Sequence, residues 1–213
     1  MENKLELRMY GFVLYNISEI QKGIQFGHAV VEYAQMAKKG DPTIEWEESS
    51  DGTRYKKVRF ESLDLEDTYN DWADNWKTFI ILNGGTSNHI DPEYVGSMES
   101  IVEQLKENYV KFATFNEPDL NDMLSGIVFI VDERVFNRKV YLDFGDWIMD
   151  KHFSYLSDNM LTSSKIERLR KDGYFETGTK QEQKLLSDWI DYVGGPKNVF
   201  LRDFLNPNRV KLA

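Results

Sequence analysis

The chain contains no cysteine among its 213 residues. A disulfide framework, a thiolate metal site and a cysteine nucleophile are therefore excluded, and the composition fits a reducing compartment. Long hydrophobic runs are also absent, since no segment approaches the roughly 20 apolar residues of a membrane span. The first eight residues alternate charges and lack the apolar stretch of a signal peptide. These absences predict a soluble, cytoplasmic protein.

Basic residues are fewer than acidic ones: the chain has 26 Lys and Arg and 36 Asp and Glu, which gives a net charge of −10. The excess acid lies in the middle of the chain, with −7 over residues 41–76 and −6 over 77–134. Nucleic-acid binding relies on Lys and Arg to displace counterions from phosphates, so an RNA-binding surface would need a local basic patch. The best candidate for tRNA contact is the segment with Lys165, Arg168, Arg170 and Lys171.

The apolar patterns predict a folded α/β protein, with 41% hydrophobic and 14% aromatic residues. Ser18 and Ser97 are plausible helix caps, and Asp51-Gly52 favours a hairpin turn between alternating strands over 43–60. Core strands are predicted at 8–16, 77–83, 110–115 and 126–131. The strand at 77–83 is expected to be buried on both faces of the sheet. Helices are predicted at 97–109, 143–156, 163–171 and 180–193. This order of elements predicts a small α/β sandwich followed by a helical region.

The first helix carries a polar stripe at spacings of four, three and four, formed by Gln21, Gln25, His28 and Glu32. Both flanks of the stripe are apolar, so the helix should be buried on most sides and should open only through the stripe. An ordinary solvated helix face is the alternative. Gly23 and Gly27 each lower helix stability, which predicts a close backbone approach at these positions.

The loop after the third core strand, residues 117–122, is expected to lie near the start of this helix, because ligand sites gather at strand carboxyl ends and helix starts. That would bring His28 and Gln25 close to several carboxylates. A carboxylate beside an imidazole makes it a better base for activating water. Equally, the run from Pro118 to Asn121 is typical of a capped turn without catalytic function.

The helix motif Gln25-Phe-Gly-His28-Ala resembles the Gln-x-x-His-Ala signature of the class-two peptidyl-tRNA hydrolases, and Glu117-Pro-Asp-Leu120 resembles a loop variant of some bacterial and phage relatives. The similarity covers roughly residues 1–40 and 77–134. It implies a mixed four-stranded sheet flanked by helices, over residues 1–134, with a β-hairpin insertion at about 41–76. The large apolar residues of 135–213 predict a mainly helical C-terminal extension that packs on this domain.

The resemblance implies a cofactor-free hydrolase that cleaves the ester between a peptide and tRNA. In this hypothesis Gln25 and His28 position or deprotonate water and Glu117 orients His28. Asp119 or Asn121 handles the carbonyl or the leaving hydroxyl. The predicted substrate-binding residues are Gln21, Lys22 and Asp122.

Two alternatives stay open at this point. Gln21 stands where the family motif has a lysine and Leu120 where its loop has an arginine, which favours a catalytically silent relative that acts as an acidic protein-binding module. A metal-dependent hydrolase is the other alternative, because four side chains could supply hard ligands for Mg or Mn: His28, Glu117, Asp119 and Asp122. A monomer and a homodimer are both compatible with the sequence.

Overall fold

The computed structural model describes residues 4–39, 41–48, 54–61, 63–88, 95–151 and 180–213. The chain divides into two compact units, one of residues 1–131 together with 207–213 and one of residues 132–206. The first unit is α/β and the second is helical. The predicted fold class is confirmed: a mixed four-stranded sheet is flanked by helices, and the C-terminal region is mainly helical.

The first unit begins with strand β1 and the motif helix. In chain order it contains β1 (Leu7–Leu14), α1 (Glu19–Lys39), β2 (Asp41–Glu48), β3 (Arg54–Glu61), α2 (Leu63–Asp71), a π-helical turn (Trp72–Trp76), β4 (Thr78–Gly85), α3 (Ser97–Glu107), β5 (Phe112–Glu117), a 3₁₀ turn (Pro118–Leu120) and β6 (Met123–Asp132).

The main sheet has the strand order β4-β1-β6-β5, with β1 parallel to β4 and β5 antiparallel to β6. Strands β2 and β3 pair antiparallel in a separate two-stranded sheet, which confirms the predicted hairpin. Its predicted Asp51-Gly52 turn lies outside the described residues. The candidate loop follows β5, and β5 is an edge strand of the main sheet.

Helix α1 buries one face through Phe26, Ala29, Tyr33 and Ala37, whose spacing repeats every three or four residues. Two glycines of the sheet allow α1 to pack closely against the strands. A Cβ atom at Gly11 would lie 2.5 Å from the Phe26 ring, and one at Gly126 would lie 2.8 Å from the carbonyl oxygen of Gln25.

The expected close approach at Gly23 and Gly27 was wrong, because a Cβ atom at either position would meet nothing within 4 Å. The expectation that α1 is buried on most sides was also wrong. Ile20 is 79% exposed and Val31 is 54% exposed, and both lie on the side of the helix opposite its buried face. The sheet covers one helix face only, so the second apolar flank remains at the surface.

Strand β4 is not buried on both faces, since Phe79 is 48% exposed. β4 ends the four-stranded order, and its outer side pairs with the last residues of the chain. Leu212 forms an antiparallel bridge with Leu82, and the N–H of Ala213 donates to the carbonyl of Ile81 at 3.1 Å. The C-terminal segment therefore occupies hydrogen-bonding groups along this edge.

The two predicted serine caps have different outcomes. Ser18 caps α1 as predicted, because its Oγ accepts from the N–H of Gln21 at 3.3 Å. Ser97 does not cap α3. The cap residue is Gly96, and the Ser97 hydroxyl instead bonds to the backbone N–H and carbonyl of Thr86, after β4.

The second unit contains α4 (Glu133–Phe136), α5 (Phe144–Lys151), α6 (Lys180–Tyr192) and α7 (Pro196–Phe204). Helix α6, predicted over 180–193, buries Leu185, Leu186 and Trp189 in a cluster with residues of α5. Gly194 and Gly195 follow α6 with φ of +92° and +97°, the left-handed region in which a helix commonly ends. The predicted helix at 163–171 lies outside the described residues. Of the helices described, none is both long and apolar enough to cross a membrane.

Candidate functional site

Gln25 joins the motif helix to the end of β5. Its side chain is 6% exposed, and its Nε2 donates to Glu117 Oε2 at 2.5 Å. Its Oε1 accepts from Ser125 Oγ of β6 at 2.8 Å. The expected proximity of α1 and the 117–122 loop is thereby confirmed. Both ends of the Gln25 amide are therefore engaged in hydrogen bonds within the protein.

Ser125 completes this cluster, and sequence reasoning missed it. It is fully buried and lies at an irregularity of the β5–β6 pairing, where Phe115 pairs with Gly126 but Asn116 pairs with Leu124. Such a bulge redirects a side chain relative to the regular strand alternation. The available signal was a lone hydroxyl beside a glycine within the apolar run of β6.

The loop after β5 folds locally from its own sequence. Glu117 caps the 3₁₀ turn, its Oε1 accepting from the N–H of Asp119 at 3.4 Å, and Pro118 follows at the first turn position. Asn121 and Asp122 then take left-handed conformations with φ of 56° and 58°, which Asn and Asp tolerate better than most residues. The capped turn suggested by the sequence is present, with Glu117 as its cap.

His28 lies one helical turn after Gln25 and is exposed. Its ring meets the ring of Phe115 edge to face, with the centroids 4.4 Å apart. Within the described part of the chain, His28 forms no hydrogen bond or ion pair. Glu117 contacts Gln25 rather than His28, so the expected orienting contact is not made directly.

The predicted substrate-binding residues lie in other local contacts. Gln21 forms a capping box with Ser18, since its Oε1 accepts from the Ser18 N–H at 3.1 Å. Lys22 pairs with Glu19 at 2.9 Å, and only 12% of its side chain is exposed. Asp122 is exposed, and its backbone carbonyl accepts from Asn116. Glu32 is exposed farther along the same helix face.

The four ligands of the metal hypothesis do not assemble a site. Across the residues that the structure describes, no group of three or more His, Asp or Glu could hold a metal ion. The proposed basic patch, with Lys165, Arg168, Arg170 and Lys171, lies outside the described residues.

Comparison with known proteins adds no functional assignment. No protein-family model matches the chain, and no curated protein matches it either. One solved structure, a protein of unknown function from Agrobacterium tumefaciens, is similar at a TM-score of 0.28 and 10% sequence identity. The similarity covers 61% of this chain and 89% of that protein.

Proposed function

We propose that this chain is a peptidyl-tRNA hydrolase-like esterase that cleaves the ester between a peptide and tRNA. The hydrogen bond between Gln25 and Glu117 is the observation that supports it most strongly. It joins the two motifs of the resemblance, which lie 92 residues apart in the chain. It also holds the Glu117 carboxylate at the interface where the exposed imidazole of His28 packs on β5.

His28 is the proposed general base. Its imidazole is exposed to solvent, where the ring can accept a proton from water. Both carboxylate oxygens of Glu117 already accept from protein N–H groups, but each oxygen has further acceptor capacity. In the proposed complex, a water molecule lies between Glu117 and His28.

In the proposed reaction, the water oxygen attacks the ester carbonyl carbon and one water proton passes to His28. The bond between that carbon and the ribose oxygen of tRNA then breaks, and the ribose oxygen receives the proton from His28. Of the two loop residues considered for the carbonyl, the amide of Asn121 can donate to the developing oxyanion, whereas an ionised Asp119 cannot. Asn121 is therefore the favoured oxyanion donor.

The test is hydrolysis of an N-acetylated aminoacyl-tRNA by the full chain, with His28→Ala compared against Glu32→Ala. Loss of a positioned base should lower turnover by about 10²–10⁴-fold. Glu32 is exposed on the same helix face and serves as the matched control, with turnover expected to stay near that of the unchanged protein.

Each measurement is repeated with a chelator and accompanied by thermal unfolding. Equal small effects of the two variants at matched stability would contradict the esterase and favour the catalytically silent relative. Turnover abolished by chelator in the unchanged protein would contradict the cofactor-free mechanism and favour the metal-dependent hydrolase.

A further inference from the structure

A cavity lies at the end of the α1–β5 contact that is remote from Gln25 and Glu117. It measures about 380 Å³ and is formed where α1 passes the end of α3 and the start of β5. Its lining residues are Met36, Lys106, Tyr109, Val110, Lys111 and Phe112. None of them belongs to the Gln25, Glu117 and Ser125 cluster.

Tyr109 has an unfavourable backbone conformation in this lining. Its φ is +55°, and its N–H donates to the carbonyl of Lys106 while that of Val110 donates to Leu105, both at 3.0 Å. This pattern ends a helix with a left-handed residue, a position that normally takes Gly or Asn. Burial of the ring does not compensate the strain, because Tyr109 is 86% exposed. An exposed, strained aromatic residue beside a cavity points to a binding role.

The cavity also carries positive charge on an acidic chain. Lys106 and Lys111 both line it and are exposed. Lys106 pairs with Glu103 at 2.8 Å, an exposed pair of the kind that exchanges readily with another anion, and Glu107 is the neighbouring acid. An exposed aromatic face next to two ammonium groups matches a nucleobase stacked beside its phosphate.

We propose that this cavity binds the single-stranded 3′ end of the tRNA substrate, with a base stacked on Tyr109 and the adjacent phosphates contacted by Lys106 and Lys111. This inference rests on the proposed function. Along α1, the eight residue steps from His28 to Met36 span about 12 Å at a rise of 1.5 Å per residue. Along β5, the five residue steps from Phe112 to Glu117 span about 17 Å. A stacked strand at roughly 3.4 Å per nucleotide covers this distance with about four nucleotides.

The probe is a fluorescently labelled RNA hairpin with a 3′ single-stranded ACCA overhang, and binding is followed by fluorescence anisotropy. Tyr109→Ala should weaken binding about tenfold, the scale of one lost stacking contact, while Tyr109→Phe retains it. Tyr15→Ala is the control, because Tyr15 is 54% exposed and lies outside this cavity. Lys106→Gln and Lys111→Gln should each weaken binding and reduce the dependence of log K on log salt by about one.

Tyr109→Gly separates binding from folding. It removes the left-handed strain, so the Tm should rise by about 2–4 °C while RNA affinity falls as it does for Tyr109→Ala. No binding of the overhang hairpin, equal binding of a blunt hairpin, or unchanged affinity in Tyr109→Ala would each overturn the proposal.

The outcomes distinguish this site from the esterase. RNA binding that depends on Tyr109, with no hydrolysis by the unchanged protein, would overturn the proposed esterase activity but support the proposed RNA-binding cavity. Hydrolysis that depends on His28, with the same KM in Tyr109→Ala as in the unchanged protein, would support the esterase and overturn the cavity proposal.

Discussion

The two units of the chain bury polar side chains in opposite ways. In the first unit, the buried network consists of the uncharged Gln25 and Ser125. It ends at Glu117, which is half-buried at the base of an exposed loop. The Glu117 carboxylate can therefore accept further hydrogen bonds from the solvent side.

In the second unit, the network is charged. Arg202 is 1% exposed and donates to Asp143 Oδ1 at 2.6 Å and to the carbonyl of Tyr141 at 2.8 Å. Asn198, also buried, donates to Asp132 and to the carbonyl of Val193. These donors bond to backbone carbonyls and carboxylates of the same unit, while Arg202 Nε has no partner among the described residues. The Asp143 side chain at the end of this network is 45% exposed.

The carboxylates of this second network keep their charge. Burial opposes ionisation of Asp132, but hydrogen bonds from Arg134 and Asn198 outweigh it and lower its pKa. For Asp143, burial is likewise outweighed by the hydrogen bond and charge of Arg202, and its pKa is lowered too. The comparison teaches that the two networks differ in the charge of their donors. The Glu117 carboxylate accepts only from an amide and a backbone N–H, whereas Asp132 and Asp143 accept from guanidinium groups, which suits a stabilising role.

The largest expected effect is the loss of the charged network in Arg202→Leu. The variant leaves two backbone carbonyls without a donor and removes one partner of Asp143, so the second unit should lose about 3 kcal/mol of unfolding free energy. Amide hydrogen exchange of α6 measures the loss in this unit.

Lys197→Leu is the control, because Lys197 is an exposed cation of the same unit and its replacement should change stability by less than about 0.5 kcal/mol. If Arg202→Leu were as stable as the unchanged protein, the charged network would not be a stabilising element.

A smaller effect with opposite signs is expected from two glycine substitutions on either side of the first network. Gly126→Ala places a Cβ atom against the Gln25 carbonyl and should destabilise the first unit by about 1–3 kcal/mol. In Gly23→Ala the added Cβ atom points into open space on helix α1, so the variant should stabilise the first unit by about 0.5–1 kcal/mol. Urea unfolding of both variants measures the difference, and the same sign for both would contradict the observed placement of α1.

The smallest expected effect is a loss of stability of the second unit at acidic pH. Because the folded pKa values of Asp132 and Asp143 lie below the ordinary value of 3.8, their contribution to stability is present above that pH. It is lost as pH falls through the folded pKa values. Gln25 and Ser125 do not titrate in this range, so they add no such dependence to the first unit.

Thermal unfolding and exchange of α6 at pH 7 and pH 3 test this expectation, with Asp132→Asn as the comparison. The variant should show a flatter acid dependence than the unchanged protein. Identical pH dependence in both would assign the acid response to other groups.

Local patterns were sufficient for most elements of the fold. Apolar periodicity predicted α1 and α6, the Asp-Gly turn signal predicted the hairpin, and Ser18 with Gln21 three residues later encodes the cap of α1. These features depend on neighbours within a few residues along the chain, which the sequence displays directly. The polar stripe likewise identified Gln25 as a candidate site residue, and the loop sequence identified Glu117.

Contacts between distant segments were decided only by the tertiary structure. Nothing local distinguishes Gly126, which meets α1, from Gly23, which faces open space. The pairing of Gln25 with Glu117 and Ser125 depends on a bulge between two strands, and the exposure of Phe79 depends on the edge position of β4. The sequence by itself determined which side chains could form helices, strands and caps. Packing determined which of them are buried together, because burial depends on the three-dimensional arrangement of segments far apart in the chain.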